Sequence, residues 1–277
     1  MNAAPTTSPT PTTPPAPCPP SREPWPEIDC LASETVIDLP ANFGWYAAAK
    51  TAFDYAVALT MLPFAILLIA LAAVAVKLTS PGPVFYTQTR VGLNGRKYKI
   101  IKIRTMRVNC EAVSGIQWSQ KGDSRITRVG RFLRVTHIDE LPQLFNVLMG
   151  QMSLVGPRPE RPEVIQTKGL NQLVPGYRHR LRVKPGVTGL AQCQLPADSD
   201  VTSVRYKVVY DLYYVEHMSL LLDLRLIAAT LFRALGAGPA MLRRLFVLPT
   251  RRRVASVFCS RIVPPPDTTP LPVLQPA

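Results

Sequence analysis

The stretch THIDELPQLFNVLMG (residues 136–150) places two adjacent carboxylates, Asp139 and Glu140, directly before an apolar pattern. Pro142 has no backbone N–H to donate and is tolerated only in a first helical turn, so a helix is predicted to begin close to Asp139. Both carboxylates would then lie at the positive end of the helix dipole, where free N–H groups also attract phosphate. The apolar residues recur at helical spacing: Ile138, Leu141, Leu144, Phe145 and Leu148.

Asp139 also has a simpler interpretation as an N-cap, whose side chain accepts a hydrogen bond from the first turn of the helix. This structural role is typical of an isolated aspartate before a helix. The positive charge around the carboxylate pair favours a role in phosphate chemistry instead.

The charge of the chain is strongly positive and unevenly distributed. Its 277 residues include 32 Lys and Arg against 18 Asp and Glu, for a net charge of +14. Residues 1–50 hold two basic and five acidic side chains, so the remainder carries +17. Charge alone leaves nucleic acid, an anionic lipid leaflet and a phosphorylated substrate open as partners. The five scattered cysteines predict neither a disulfide framework nor a zinc site.

An apolar segment follows a polar tail. Residues 1–45 are predicted to be disordered, because their Pro/Thr-rich sequence buries too little apolar surface to fold. Residues 46–79 form the predicted membrane helix, whose uncharged run 55–76 is long enough to cross about 30 Å of hydrocarbon. Pro63 removes a helix hydrogen bond and favours a bend and a re-entrant path. A straight span with the basic bulk in the cytoplasm is the alternative, and a buried core helix is less favoured.

A β-hairpin is predicted next, because two β-rich runs, 84–92 and 97–104, flank the turn sequence Asn94-Gly95. Arginines then recur at every third residue from Arg125 to Arg134. Such a run is commonly a solvated or headgroup-facing surface, and Arg134, nearest the carboxylates, is the predicted exception.

The rest of the chain adds a turn, two helices and a tail. Two prolines in GPRPE (156–160) predict a rigid turn that holds Arg158 with little entropy left to lose. Helices are predicted from 201 to 235, and they include Asp211. The catalytic domain therefore spans 80–235, with a mixed α/β, helix-rich fold, and 236–277 is a basic, proline-rich tail without predicted structure.

Six motifs follow one another along the chain: GPVFYTQ (82–88), KIRTM (102–106), DSRITRVGRFLR (123–134), DELPQ (139–143), MSLVGPRP (152–159) and KPGVTGLAQ (184–192). Their content and order resemble those of the bacterial sugar transferases. Over roughly residues 50–235 the chain resembles the monotopic phosphoglycosyl transferases of this family, in their short, catalytic-domain form.

The resemblance implies a two-step transfer in the cytoplasmic leaflet. The aspartate that matches Asp139 attacks the sugar-bearing phosphate of a UDP-sugar, UMP leaves, and a polyprenyl phosphate, typically undecaprenyl phosphate, then takes the phosphosugar. The family needs Mg²⁺, which bridges the phosphates near Asp139. Glu140 would orient Asp139, assist the metal or act as a base, and these roles stay open.

The resemblance also implies the remaining site residues and the setting. Arg158 would lie near the nucleotide and Asp211 near the active site. Independently of the resemblance, a carboxylate that approaches an anionic diphosphate needs cations beside it, which Lys102 and Arg134 would supply with Mg²⁺.

The expected setting is the bacterial inner membrane, with the catalytic domain facing the cytoplasm and phospholipid as a neighbour. The expected pathways are exopolysaccharide, O-antigen or glycoconjugate synthesis, with no nucleic acid as partner. A homodimer and contacts with downstream glycosyltransferases stay open. The competing hypothesis is a non-catalytic basic scaffold that binds anionic lipid or nucleic acid and has no use for an acidic pair.

Overall fold

The computed structural model describes residues 39, 43–108, 110, 118 and 122–259. Most of the tail predicted to be disordered, residues 1–45, lies outside this part of the chain. The described strands are β1 (Phe85–Val91), β2 (Lys97–Ile103), β3 (Ser153–Val155) and β4 (Gly186–Thr188). The described helices are α1 (Phe43–Thr79), α2 (Arg128–Thr136), α3 (Gln143–Leu148), α4 (Pro162–Thr167), α5 (Leu170–Leu173), α6 (Leu190–Gln194), α7 (Val201–His217), α8 (Leu220–Ala234), α9 (Pro239–Leu245) and α10 (Arg251–Cys259). The predicted mixed, helix-rich fold is confirmed.

Helix α1 is 37 residues long and continues through Pro63 without a break. It is the one described helix that is long and apolar enough to cross a membrane. One face is buried against the rest of the protein, and the opposite face exposes large apolar side chains. The buried face carries Tyr46, Asp54, Ala58, Ala65, Ile69, Ala72 and Val76. The exposed side chains include Leu59, Met61, Phe64, Ile66, Leu67, Leu71, Val74 and Leu78.

A buried polar network, here called the anchor cluster, fastens the N-terminal part of α1. It consists of Tyr46, Lys50, Asp54, Tyr214 and Asp223. The Asp223 carboxylate accepts hydrogen bonds from the Tyr46 hydroxyl at 2.7 Å, the Lys50 ammonium at 2.8 Å and the Tyr214 hydroxyl at 2.6 Å. Asp54 lies 3.7 Å from Lys50 Nζ and accepts a bond from the backbone of β3. Helices α1, α7 and α8 are thereby joined at one point.

The predicted hairpin is confirmed. Strands β1 and β2 pair antiparallel over their full lengths, with Phe85 opposite Ile103 and Val91 opposite Lys97. The turn includes Asn94 in the left-handed region, at φ 53°, a conformation that asparagine tolerates better than most residues. Strand β2 ends beside α1, where the Arg104 guanidinium donates to the carbonyls of Ser80 and Pro81.

Two short strands, β3 and β4, pair in parallel. Ser153 pairs with Gly186, and Val155 with Thr188. A Cβ atom on Gly186 would lie 2.1 Å from the backbone N of Gly156, so only glycine permits this close approach. Strand β4 thereby packs directly against the turn that begins at Gly156.

Two helices lie beyond residue 235, where the predicted catalytic domain ends and a tail without predicted structure begins. Helix α9 packs on α6 and α8, while α10 packs on α7. Leu242, Leu248 and Val254 are buried in these contacts. The arginine-rich composition obscured the apolar pattern of this segment, because the few buried apolar residues of each short helix are interspersed with arginines. Residues 260–277 of the predicted tail lie outside the described part of the chain.

Candidate active site

The carboxylate pair lies in a short 3-10 turn, Ile138–Glu140, rather than in the first turn of an α-helix. Helix α3 begins only at Gln143 and has six residues, with Pro142 at its N-cap. The predicted helix start near Asp139 is therefore wrong by four residues, and a six-residue helix offers only a weak dipole. The left-handed backbone of His137, at φ 58°, separates α2 from this turn and redirects the chain.

The Asp139 side chain caps neither the 3-10 turn nor α3. The interpretation of Asp139 as a simple N-cap is therefore wrong, and its carboxylate is available for another role.

Glu140 is held by two cations. Its Oε1 atom lies 2.7 Å from Lys102 Nζ on β2 and 2.9 Å from Arg158 Nη2. Burial alone would raise the pKa of this carboxyl, but Arg158 and Lys102 outweigh burial and hold the pKa of Glu140 well below its usual range. Glu140 is thus ionised and fixed, which favours orientation and charge compensation over the role of a mobile base.

Asp139 has the opposite environment. It is 7% exposed and accepts no hydrogen bond from the described residues. Burial and the adjacent charge of Glu140 raise the pKa of Asp139 to about 6, and Lys102, Arg134 and Arg158 counter only part of this increase. A buried carboxylate without a hydrogen-bond donor is costly to maintain for structure alone. Two neighbouring carboxyls with pKa values pushed apart are typical of sites that divide chemical roles between them.

Arg134 is half-buried, whereas Arg128 and Arg131 are exposed; Arg125, at the start of the arginine run, is also half-buried and pairs with Asp123 at 2.6 Å. The Nε atom of Arg134 donates to Thr105 Oγ1 at 2.9 Å. Helix α2 approaches the backbone of Thr105, just after β2, so closely that a Cβ atom on Gly130 would lie 2.0 Å from the Thr105 carbonyl oxygen. The guanidinium of Arg134 is thereby held by the segment that directly follows the strand carrying Lys102.

Arg158 lies in the predicted Pro-Arg-Pro turn, and the structure brings it to Glu140.

Asp211 does not lie beside Asp139 and Glu140 in the structure. Its carboxylate pairs with Arg180 at 2.7 Å, and both side chains are almost fully buried. Burial raises the pKa of Asp211 to about 6, against the effect of Arg180. The substrate-binding role of Asp211 therefore stays a prediction, while its observed partner is an arginine that the motifs did not single out.

The described residues contain no group of three or more His, Cys, Asp or Glu side chains that is arranged to hold a metal ion. Magnesium at phosphate-transfer sites commonly uses one or two carboxylates and takes its other ligands from substrate phosphates and water. Asp139 fits that limited role, because its largely buried carboxylate accepts no hydrogen bond from the part of the chain that the structure describes. Glu140 fits less well, since two cations already occupy it.

Comparison with known proteins agrees with the geometry. The family model described as bacterial sugar transferase matches residues 45–237, which include α1, the hairpin, the carboxylate pair and helices α7 and α8. The chain belongs to the bacterial sugar transferase family.

Individual relatives sharpen this assignment. The chain is 42% identical over 193 residues to the exopolysaccharide production protein PSS of Rhizobium leguminosarum bv. phaseoli, covering 68% of this chain and 96% of the relative. It is 41% identical to a UDP-N-acetylgalactosamine-undecaprenyl-phosphate N-acetylgalactosaminephosphotransferase of Aeromonas hydrophila, covering 67% of this chain and 43% of the relative. It is 45% identical to a UDP-glucose:undecaprenyl-phosphate glucose-1-phosphate transferase of Xanthomonas campestris pv. campestris, covering 61% of this chain and 35% of the relative. The chain thus spans less than half the length of the last two proteins.

Proposed function

We propose that this protein is a phosphoglycosyl transferase that moves a sugar-1-phosphate from a UDP-sugar to undecaprenyl phosphate or a related polyprenyl phosphate. Family membership and the names of the relatives support the reaction class. The single observation that carries the mechanism is the Asp139 carboxylate, which is largely buried, accepts no hydrogen bond from the described residues and has its pKa raised by burial and partly lowered again by Lys102, Arg134 and Arg158. The product would be the first membrane-bound intermediate of an exopolysaccharide, O-antigen or glycoconjugate.

The first step is a displacement at the sugar-bearing phosphorus. An Asp139 oxygen forms a bond to this phosphorus, the bond to the bridging oxygen of the diphosphate breaks, and UMP leaves with the electron pair. Lys102, Arg134 and Arg158 offset the repulsion between carboxylate and diphosphate. Glu140 fixes Lys102 and Arg158 beside the nucleophile and stays ionised throughout.

In the second step an oxygen of the polyprenyl phosphate attacks the same phosphorus. The bond to Asp139 breaks, the carboxylate is restored, and a polyprenyl diphosphate sugar results. Mg²⁺, when bound at Asp139 and the substrate phosphates, would add positive charge where the transferring group becomes more anionic.

The packing of α1 supports attachment to one leaflet rather than a free span. Buried positions run from Tyr46 to Val76, which is about 45 Å of helix at 1.5 Å per residue. A helix that crossed the bilayer would carry its packed partners, including the polar active site, into the hydrocarbon at great cost. We therefore propose a one-sided arrangement in the inner membrane, with the site at the cytoplasmic headgroup level. The acceptor phosphate is located at that level.

The function is tested with membranes that contain the protein, a panel of labelled UDP-sugars, Mg²⁺ and undecaprenyl phosphate. Transfer of label to lipid from at least one donor, lost on Asp139→Asn, is expected. Equal lipid product from wild type and variant would remove Asp139 from its proposed role. The scaffold hypothesis predicts no transfer from any donor and salt-sensitive binding to anionic vesicles or nucleic acid that is unaffected by the substitution.

A further inference from the structure

The turn Gly156–Glu160 is held in an unusual way. Prolines 157 and 159 have no N–H groups, so the turn cannot form a regular hydrogen-bonded ladder of its own. Its four consecutive carbonyls instead receive donors from elsewhere in the fold. Gly186 N donates to Pro157 O at 2.9 Å, Arg180 Nη2 to Arg158 O at 2.7 Å, Arg90 Nη1 to Pro159 O at 3.1 Å and Val91 N to Glu160 O at 3.0 Å.

The bond from Arg180 fixes the residue that reaches the active site. Arg158 carries its guanidinium to Glu140 at 2.9 Å, and its own backbone carbonyl is the acceptor for Arg180. Arg180 is 5% exposed, and its guanidinium lies 5.2 Å from the centre of the Tyr177 ring. These contacts leave the Arg180 side chain little freedom.

Asp211 is the last member of this series of contacts. The same Nη2 atom of Arg180 lies 2.7 Å from Asp211 Oδ2. Asp211 belongs to the long helix α7 and is 2% exposed, so its position is set by the core. A series of contacts therefore runs from α7 through Asp211, Arg180 and Arg158 to Glu140, next to the proposed nucleophile.

We propose that Arg180 and Asp211 are a pair of positioning residues for the transfer reaction, with Asp211 acting through Arg180 rather than on the substrate. The pair holds the Arg158 backbone so that the Arg158 guanidinium stays on Glu140. This inference rests on the proposed function for its kinetic readout. It assigns a role to an arginine outside the quoted motifs and gives Asp211 a role different from direct substrate binding.

The test is a double-mutant cycle on the full-length protein, with UMP release measured for Arg180→Lys, Asp211→Asn and the double variant. Each single change is expected to lower kcat by roughly 10- to 100-fold with KM for the donor changed by less than about threefold, because orientation is lost while the binding groups remain. Since the two residues act in series, the kcat of the double variant should lie within about threefold of the kcat of the less active single variant.

A direct substrate contact by Asp211 predicts a different pattern. KM would rise with kcat little changed in Asp211→Asn, or the losses of the two single variants would multiply in the double variant. Either result overturns the proposal. Absence of UMP release from the wild-type protein with every donor would instead refute the proposed function, so the two failures are distinguishable.

Two further measurements separate positioning from general damage. Arg205→Lys is the matched control, because Arg205 Nε also donates to a backbone carbonyl, that of Leu173 at 3.1 Å, in another part of the fold. Its kinetics should match the wild type. Amide hydrogen exchange at residues 156–160 should quicken in Arg180→Lys and not in Arg205→Lys. Unchanged exchange at the turn in a folded Arg180→Lys protein would contradict the proposal even if Asp211→Asn could not be purified.

Discussion

Two groups of buried carboxylates in this protein differ in how they are satisfied. In the anchor cluster, Asp223 accepts hydrogen bonds from two tyrosines and a lysine. At the candidate active site, Glu140 is paired with two cations, but its neighbour Asp139 accepts no hydrogen bond from the described residues. Buried carboxylates whose hydrogen-bonding capacity is filled by protein donors stabilise a structure, whereas a carboxylate without such donors is available for chemistry. Substitutions in the two groups should therefore have opposite consequences.

The largest effect is expected from Asp139→Asn. The amide cannot form the acyl phosphate with the phosphosugar, so UMP release should fall by roughly 10³-fold or more. The thermal midpoint should stay the same or rise, because the substitution removes a buried charge that lacks a direct partner. Kinetics and thermal unfolding of the same preparation measure both. A loss of stability in parallel with the loss of activity would show that Asp139, like Asp223, has a structural role.

Asp223→Asn should produce the reverse. Lys50 would lose its close partner at 2.8 Å and keep only the longer contact with Asp54 at 3.7 Å. Breaking this buried pair costs about 3 kcal/mol and lowers the thermal midpoint by roughly 6–12 °C. At a temperature where the variant is folded, its kcat should lie within about twofold of the wild type, since the anchor cluster holds α1 and does not touch the substrate. A large loss of kcat in fully folded protein would show that the two groups are coupled.

The pH dependence sharpens the comparison further. Asp139 must be ionised to attack, and its pKa is raised to about 6, so kcat/KM should fall about tenfold per pH unit below that value. Glu140 does not contribute a limb there, because its pKa is held far lower. Glu140→Gln should move the midpoint to lower pH, since it removes an adjacent negative charge. A profile that is flat between pH 5 and 7 would contradict the environment described for Asp139.

The smallest difference is expected within the arginine run. Arg134→Ala should lower kcat/KM by about tenfold, because a half-buried cation near the nucleophile is lost. Arg128→Ala, an exposed control on the same helix, should stay within about twofold in detergent solution. Equal effects of the two changes would mean that the run acts only as a general electrostatic surface.

Sequence patterns predicted the parts of the fold that depend on local chemistry. Asn94-Gly95 specified the hairpin. The Ser219 hydroxyl caps α8, and serine is among the preferred residues at that position. In each case a few neighbouring residues decide the conformation.

The errors concern features that local sequence patterns do not determine. The carboxylate pair lies in a 3-10 turn that follows the left-handed His137, and nothing in the neighbouring sequence requires that conformation. The partner of Asp211 is 31 positions earlier in the chain, and pairing across such a distance is invisible to periodicity. Within the candidate site, the need for cations beside a carboxylate nucleophile predicted Lys102 near Asp139, whereas the role of Arg158 came only from the family resemblance. Only the structure shows that Glu140 is paired with two cations while Asp139 accepts no hydrogen bond from the described residues.

The most direct test of the account is to incubate the purified protein with a competent UDP-sugar and no acceptor lipid, quench it, and map the modified peptide by mass spectrometry. The account predicts one phosphosugar attached at Asp139, released when polyprenyl phosphate is added before the quench. Transfer that proceeds with no adduct, or an adduct at Glu140, would contradict it.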